Sequence, residues 1–133
     1  MTTSLAFGTF DNLHHGHKYY LKKAREQADE LFVIVARDST VEKIKGRFPS
    51  QSEEKRLEQV QSLGIAKMAF LGDESDMMSS VLKVRPNVIC LGYDQNIPPN
   101  FHEVLRMNGL APKIVRIDSF NPEQFKSSKI VQA

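Results

Sequence analysis

The sequence predicts an α/β fold built on a doubly wound parallel sheet, and three observations carry that prediction. Strand and helix signals alternate almost without interruption from Leu5 to Ile117. One apolar run, LFVIVA at Leu31–Ala36, is continuous and rich in β-branched residues, as in a strand buried on both faces of a parallel sheet. A length of 133 residues holds one domain with a real core and not two ordinary ones. The expectation is one domain over residues 1–133, with five parallel strands in the order 3-2-1-4-5 and helices on both faces.

Taken in order, Leu5 to Phe10 is a short apolar run closed by Gly8 and Asp11, which reads as the first strand. His15 to Ala28 carries Tyr19, Tyr20, Leu21, Ala24 and Ala28 near helical spacing. LFVIVA is the second strand. Ser39-Thr40-Val41-Glu42 fits a capping box, opening a short helix that ends around Lys45-Gly46. GRFPSQ is a loop, and Ser50-Gln51-Ser52-Glu53 is a second capping-box match. The helix that follows runs through Leu57, Val60 and Leu63 to a stop at Gly64. Ala66–Leu71 is the third strand, Asp76–Val84 a helix and Asn87–Leu91 the fourth strand. Pro98-Pro99 opens a helix closed by Asn108-Gly109, Lys113–Ile117 is the fifth strand, and SSKIVQA forms a last helical turn. Repeats, low-complexity tracts and linkers are absent from the chain, whose architecture is thus Rossmann-like.

Composition narrows the function classes. With 41% hydrophobic and 26% charged residues and a net charge of +2, the overall field gives no reason to expect a nucleic-acid partner. Positive charge that serves a function must be local. The longest unbroken apolar run is Leu31–Ala36, far short of the ~20 residues needed to cross a bilayer, so no membrane association is expected. Met1-Thr2-Thr3-Ser4 lacks a basic signal-peptide start, and the single cysteine, Cys90, cannot form an internal disulfide. A cytoplasmic setting is expected.

Chemistry concentrates in GTFDNLHHGH, Gly8 to His17, at the carboxyl end of the first strand, where open α/β sheets bind ligands. The unpaired N–H groups and positive dipole end of the following helix favour an anion. Gly8 and Gly16 allow close approach of backbone to a phosphate. His14 and His17, three apart, share a helical face and can both donate to one group. Two plainer readings stand beside this one. The histidines could cap the helix, or hold a metal, although a third metal ligand is not evident and HExxH spacing is absent.

The decapeptide resembles the GTFDxxHxGH signature of the cytidylyltransferase-like (HxGH) nucleotidyltransferases, with His14 and His17 as the signature histidines and His15 as the variable position. The resemblance implies that both histidines stabilise the α-phosphate of a nucleoside triphosphate while pyrophosphate is displaced. It places Gly8, Thr9, Phe10 and Gly16 with them around the nucleotide. An acceptor that is itself a phosphate monoester is already anionic near neutral pH, so no general base is needed. Positioning and electrostatic stabilisation remain, and imidazole N–H groups at a helix N-terminus supply both.

Three further segments match the family in order. In KIKGR, Lys43–Arg47, Lys45 matches a phosphate-contacting loop lysine, and Arg56 in EEKR matches an arginine that approaches the triphosphate or acceptor phosphate. By themselves these cations would read as a solvated helix end. LGYDQN at Leu91–Asn96 contains a Gly-x-Asp element, Gly92 and Asp94, in which Asp94 can accept bonds from ribose hydroxyls or a base amino group. In FKSSKI, Ser127 and Ser128 with Lys129 match a late phosphate-binding turn. The four matches span Gly8 to Ile130.

The RTxGIST element usual in cytidylyltransferases for glycerol 3-phosphate or choline phosphate is replaced here by NPEQFKSSKI. VIVARD, KIKGR, LGYDQ and SSKI are more similar to the small archaeal-type FAD synthetases. That resemblance implies ATP and FMN as substrates, FAD and pyrophosphate as products, a required Mg2+, and a homodimer. Asp11 either aids the ion or phosphate or braces the turn; the metal ligands are left unassigned. Tyr93, Phe48 and Phe120 are available as an aromatic shelf for an acceptor ring, and none is assigned. A cytidylyltransferase acting on a small polyol phosphate and a non-catalytic nucleotide-binding module are the alternatives.

Overall fold

The computed structural model describes residues 1–74, 77–97 and 99–119. In chain order the elements are β1 (Thr3–Gly8), α1 (His15–Arg25), β2 (Glu30–Val35), α2 (Asp38–Lys45), α3 (Glu53–Ser62), β3 (Met68–Leu71), α4 (Met77–Val84), β4 (Val88–Leu91), α5 (Phe101–Met107) and β5 (Lys113–Arg116). The strands form one sheet in the order β3-β2-β1-β4-β5, every neighbouring pair parallel, as the sequence predicts.

Strand alternation divides the core into two layers. Ala6, Val33, Val35 and Cys90 face Leu21 and Ala24 of α1 and Val60 of α3. Leu5, Phe7, Ile34, Ile89 and Leu91 face Val81 of α4 and Phe101 and Leu105 of α5. Central β1 and β4 are buried on both sides, so polar chemistry is confined to their ends. At the carboxyl ends, β1 and β4 lie side by side although two strands, β2 and β3, separate them along the chain. That arrangement makes a crevice at the point where the order reverses.

Several boundaries differ from the sequence reading for identifiable reasons. β1 runs from Thr3 to Gly8 and not on to Phe10, because Phe10 takes a φ of 57° and leaves the sheet. α1 stops at Arg25, short of Ala28, and α2 begins at Asp38 with no side-chain cap from Arg37. Ser39 and Thr40 therefore lie inside α2, and the expected capping box is not formed there. Instead the Asp38 N–H donates to Glu53 Oε1 at 2.7 Å, and the Glu53 N–H donates to Asp38 Oδ2 at 3.4 Å. Ser52, not Ser50, caps α3 by accepting the Lys55 N–H at 3.2 Å. Gly64 and Gly109 turn the chain after α3 and α5 with φ of 69° and 75°, the left-handed conformation expected of glycines that stop helices. Asp76, Pro98 and the SSKIVQA turn lie outside the described residues.

Candidate functional site

The chain leaves β1 through a strained turn. Phe10 and Asn12 both adopt left-handed φ, 57° and 52°, at a cost of roughly 1 kcal/mol or more each. Tertiary bonds hold them there. Asp11 Oδ2 accepts the Ser50 N–H at 2.8 Å and Oδ1 accepts the Gln51 N–H at 3.0 Å. The Asn12 N–H donates to Gln51 Oε1 at 2.9 Å. Arg56 Nη1 donates to the Thr9 carbonyl at 2.7 Å. Burial pushes the Asp11 carboxyl up, but the Ser50 and Gln51 N–H groups and the Arg56 charge outweigh it, and the net shift is downward. Asp11 thus stays ionised as the brace between the β1 exit and the loop before α3.

Phe10, only 2% exposed, forms the floor of this turn. Its ring stacks near Tyr20 at 6.4 Å between centroids and meets His17 edge-on at 5.6 Å. A side chain at Gly8 would come within 3.3 Å of the Phe10 ring, so glycine lets the ring fold back over the strand end. Tyr20 locks α1 to the sheet: its hydroxyl donates to the Cys90 carbonyl at 2.7 Å and accepts the Phe7 N–H at 3.3 Å. Burial raises the phenol's pKa far above its usual value, so the hydroxyl keeps its proton.

On this floor sit His14 and His17, whose rings stack 3.9 Å apart at 24°. His14 is the N-cap of α1: its Nδ1 accepts the Gly16 N–H at 3.0 Å. His17 Nδ1 reciprocates by accepting the His14 N–H at 3.3 Å, completing a capping box made of two imidazoles. Capping and ligand binding, alternatives at the sequence level, are therefore compatible. A nitrogen that accepts a backbone N–H cannot carry the ring proton, so each neutral ring holds its proton on Nε2, directed away from the cap. Gly16 is needed for this pairing, because a Cβ there would lie 2.9 Å from His14 Cε1 and 3.1 Å from Nδ1.

Burial, the His14 ring and the Lys45 ammonium all disfavour a charged His17, and Asp11 opposes them only in part; the pKa falls to about 4. His17 is accordingly a neutral hydrogen-bond donor at physiological pH. Lys45, exposed at the end of α2, bears on His17 through its charge. Gly46, with φ of 78°, ends α2 immediately after it.

Across the crevice, Gly92-Tyr93-Asp94-Gln95 forms a turn at the end of β4, its Gln95 N–H donating to the Gly92 carbonyl at 3.2 Å. Gln95 Oε1 accepts the Gly92 N–H at 2.7 Å, and Nε2 donates to the Phe7 carbonyl at 2.6 Å. From the end of β5, Arg116 Nη1 donates to the carbonyls of Gly92 and Gln95, both at 2.8 Å. The Asp94 side chain is exposed. Sequence reasoning missed Gln95 and Arg116. The only local signal was their position at the carboxyl ends of adjacent strands.

The structure thus brings Gly8, Thr9, His14, Gly16 and His17 to one strand–helix junction, with Lys45 on one side and Gly92 and Asp94 on the other. Two expected site residues sit differently. Arg56 is fully buried, its nitrogens bonded to Gln51 and Thr9 carbonyls and, at 2.7 Å, to Asp38, so here it holds the loop and presents no surface to phosphate. Phe10 is beneath His17 and is likewise a support. Ser127 and Ser128 lie outside the described residues. Among the described residues, no three His, Cys, Asp or Glu side chains are grouped to hold a metal ion, and none of the helices is long and apolar enough to cross a membrane. A hollow of about 360 Å³ lined by Arg37, Gly72, Asp73, Ser80 and Lys83 is elsewhere, at the ends of β2 and β3.

Known proteins resemble the chain in sequence and in fold. A family described as cytidylyltransferase-like matches residues 5–133. An FAD synthase of Methanosarcina barkeri is 53% identical over 119 residues, covering 88% of this chain and 84% of the relative. An FAD synthase of Thermoplasma volcanium is 40% identical over 98% of this chain and 92% of the relative. A crystal structure from Thermoplasma volcanium, described as a lipopolysaccharide core biosynthesis protein, superposes with a TM-score of 0.84 at 41% identity, covering 91% of this chain and 99% of that one. Pantothenate synthetase of Thermus thermophilus shares the fold alone, at a TM-score of 0.58 and 13% identity over 93% of this chain and 58% of that one. The chain belongs to the cytidylyltransferase-like family.

Proposed function

We propose that this protein is an FMN adenylyltransferase, transferring AMP from ATP to the phosphate of FMN to give FAD and pyrophosphate. The observation that carries the reading is the double-imidazole cap at the β1 exit, two Nδ1 atoms accepting backbone N–H groups and two Nε2 donors left for a ligand. The FAD synthases at 53% and 40% identity supply the substrate pair.

An FMN phosphate oxygen attacks the α-phosphorus of ATP. The new oxygen–phosphorus bond forms as the bond to the bridging oxygen of pyrophosphate breaks, and the electron pair leaves with pyrophosphate. The attacking oxygen carries its own negative charge, so no enzyme base is required. His14 and His17 donate to the α-phosphate oxygens as charge builds there, and Lys45 offsets charge on the leaving pyrophosphate. Gly8, Thr9 and Gly16 let the backbone approach the phosphates, Gly92 and Asp94 hold the nucleoside, and Ser127 and Ser128 complete the phosphate contacts. Asp11 and Arg56 keep the β1 exit in shape.

Magnesium belongs to the proposal as the partner of the triphosphate. Both Asp11 oxygens are already taken by backbone N–H groups, and no described cluster offers three ligating side chains. Among the described residues no resident cation site is assembled, and no step is assigned to the ion. The acting unit is proposed to be a homodimer in the cytoplasm.

Pyrophosphate release tests the reading when ATP and CTP are each paired with FMN, glycerol 3-phosphate and choline phosphate. Release with ATP and FMN together, and FAD in the product, is the expected result. Turnover confined to CTP and a small alcohol phosphate replaces the reading with a cytidylyltransferase, and binding without release replaces it with a non-catalytic module.

A further inference from the structure

We infer that Arg116, acting with Gln95, is the positioning residue of the nucleotide loop: it fixes the Gly92–Gln95 turn so that Asp94 is presented to the nucleoside. The inference rests on the proposed role of that turn and adds to it the residues that build it.

Register places Arg116 opposite Leu91, the last residue of β4, and the Ile117 N–H bonds back to the Leu91 carbonyl at 2.8 Å. The chain beyond Leu91 curls back over the Arg116 side chain. One guanidinium nitrogen, Nη1, then meets three carbonyls of a single turn: Gly92 at 2.8 Å, Gln95 at 2.8 Å and Tyr93 at 3.4 Å. Three carbonyl oxygens pointing at one place repel one another unless a cation sits between them. Without Arg116 the turn has an electrostatic reason to open.

Gln95 works from the opposite side. Its amide spans the two strands that form the crevice, bonding Gly92 at the end of β4 and the Phe7 carbonyl one residue before Gly8. The nucleotide loop is thereby tied to the strand that carries the histidine motif. The side chains the turn turns outward are different. The Asp94 carboxylate is exposed and bonds no described residue, and Tyr93 is 61% exposed. A turn held at both ends by its Gly92 and Gln95 backbone while its carboxylate is left open is built to present that carboxylate.

The test compares wild type with Arg116→Ala, Arg116→Lys and Gln95→Glu in the full chain. Equilibrium binding of ATP is measured by calorimetry, FMN by flavin fluorescence, and thermal midpoints alongside. Arg116→Ala is expected to weaken ATP binding about tenfold or more while FMN binding stays within about twofold. Arg116→Lys keeps the charge without the guanidinium fork and falls between the two. Gln95→Glu, which turns a donor at Phe7 into an oxygen facing an oxygen, also loses ATP selectively. Unchanged ATP binding in Arg116→Ala overturns the inference. So does a parallel loss of ATP and FMN affinity with a large drop in melting temperature, the mark of a merely structural residue. If wild type forms no FAD but the ATP-selective loss appears, the clamp stands and the proposed acceptor chemistry falls. If wild type binds neither ATP nor CTP, both fall.

Discussion

His14 caps α1 with the same ring whose Nε2 proton is proposed to meet the α-phosphate, so replacing it by alanine would mix a lost cap with lost chemistry. Asparagine separates them, because Asn is among the best N-cap residues and costs little helix stability. His14→Asn is expected to keep a near-normal melting temperature while kcat falls about 100-fold or more, the scale of removing one preorganised donor. Normal turnover by that variant would reduce His14 to a cap. His17→Ala should likewise lose orders of magnitude in kcat with the fold retained, as a circular-dichroism melt and an FAD assay would show together. Lys45 is exposed and bears on the site through its charge. Lys45→Ala should therefore leave stability unaltered and raise KM for ATP more than KM for FMN. The reverse order would assign the α2 loop to the acceptor.

Between elements, the decisive piece is the ion cluster where α2 and α3 begin. Arg56 bonds Asp38, Asp38 and Glu53 cap each other's helices, and Arg37 pairs with Glu53 at 3.4 Å. Arg56 is fully buried and Asp38 one-third exposed, so solvent relieves part of the cost of breaking the pair. Arg56→Met should lower the unfolding free energy by about 2–3 kcal/mol in urea titration, below the usual loss for a fully buried pair. It should also lower kcat, since the Thr9 carbonyl loses its donor beside the histidines. Wild-type stability combined with lost triphosphate affinity would mean that Arg56 reaches the ligand after all. This cluster also explains what could be read in advance. The β1 exit and the start of α1 were legible because their chemistry is packed into ten consecutive residues. The starts of α2 and α3 were misread because the pairing of Asp38 with Glu53 is fifteen residues long in sequence. Arg116 and Gln95 left no trace beyond their places at strand ends, since Arg116 reaches Gly92 across 24 residues and Gln95 reaches Phe7 across 88.

For the whole molecule, sheet order brings the β1 exit and the Gly92–Gln95 turn to one edge, and it also makes the site part of the stability of the fold. His17 is partly buried, and its pKa of about 4 lies below the 6.5 of a free imidazole side chain. Between those values the unfolded chain binds a proton that the folded chain refuses. Stability therefore rises with pH through this window and is lost as pH falls from 6.5 toward 4, with a slope of at most about 1.4 kcal/mol per pH unit from one group. Asp11 and Asp29, both shifted downward, add an acid loss of their own only below about pH 5, so the upper part of the window belongs to His17. Urea unfolding of wild type and His17→Asn from pH 7 to pH 4 should thus give a shallower pH dependence for the variant. A titration of the His17 ring followed by NMR should show it neutral throughout pH 5–8. An acid limb of kcat/KM near pH 6 should then survive changes at His17, as the second ionisation of the acceptor phosphate, at about 6 for a phosphate monoester, requires. A His17 midpoint near 6.5, or equal stability slopes for the two proteins, would contradict the partly buried, Phe10-backed seat on which its neutral donor role depends.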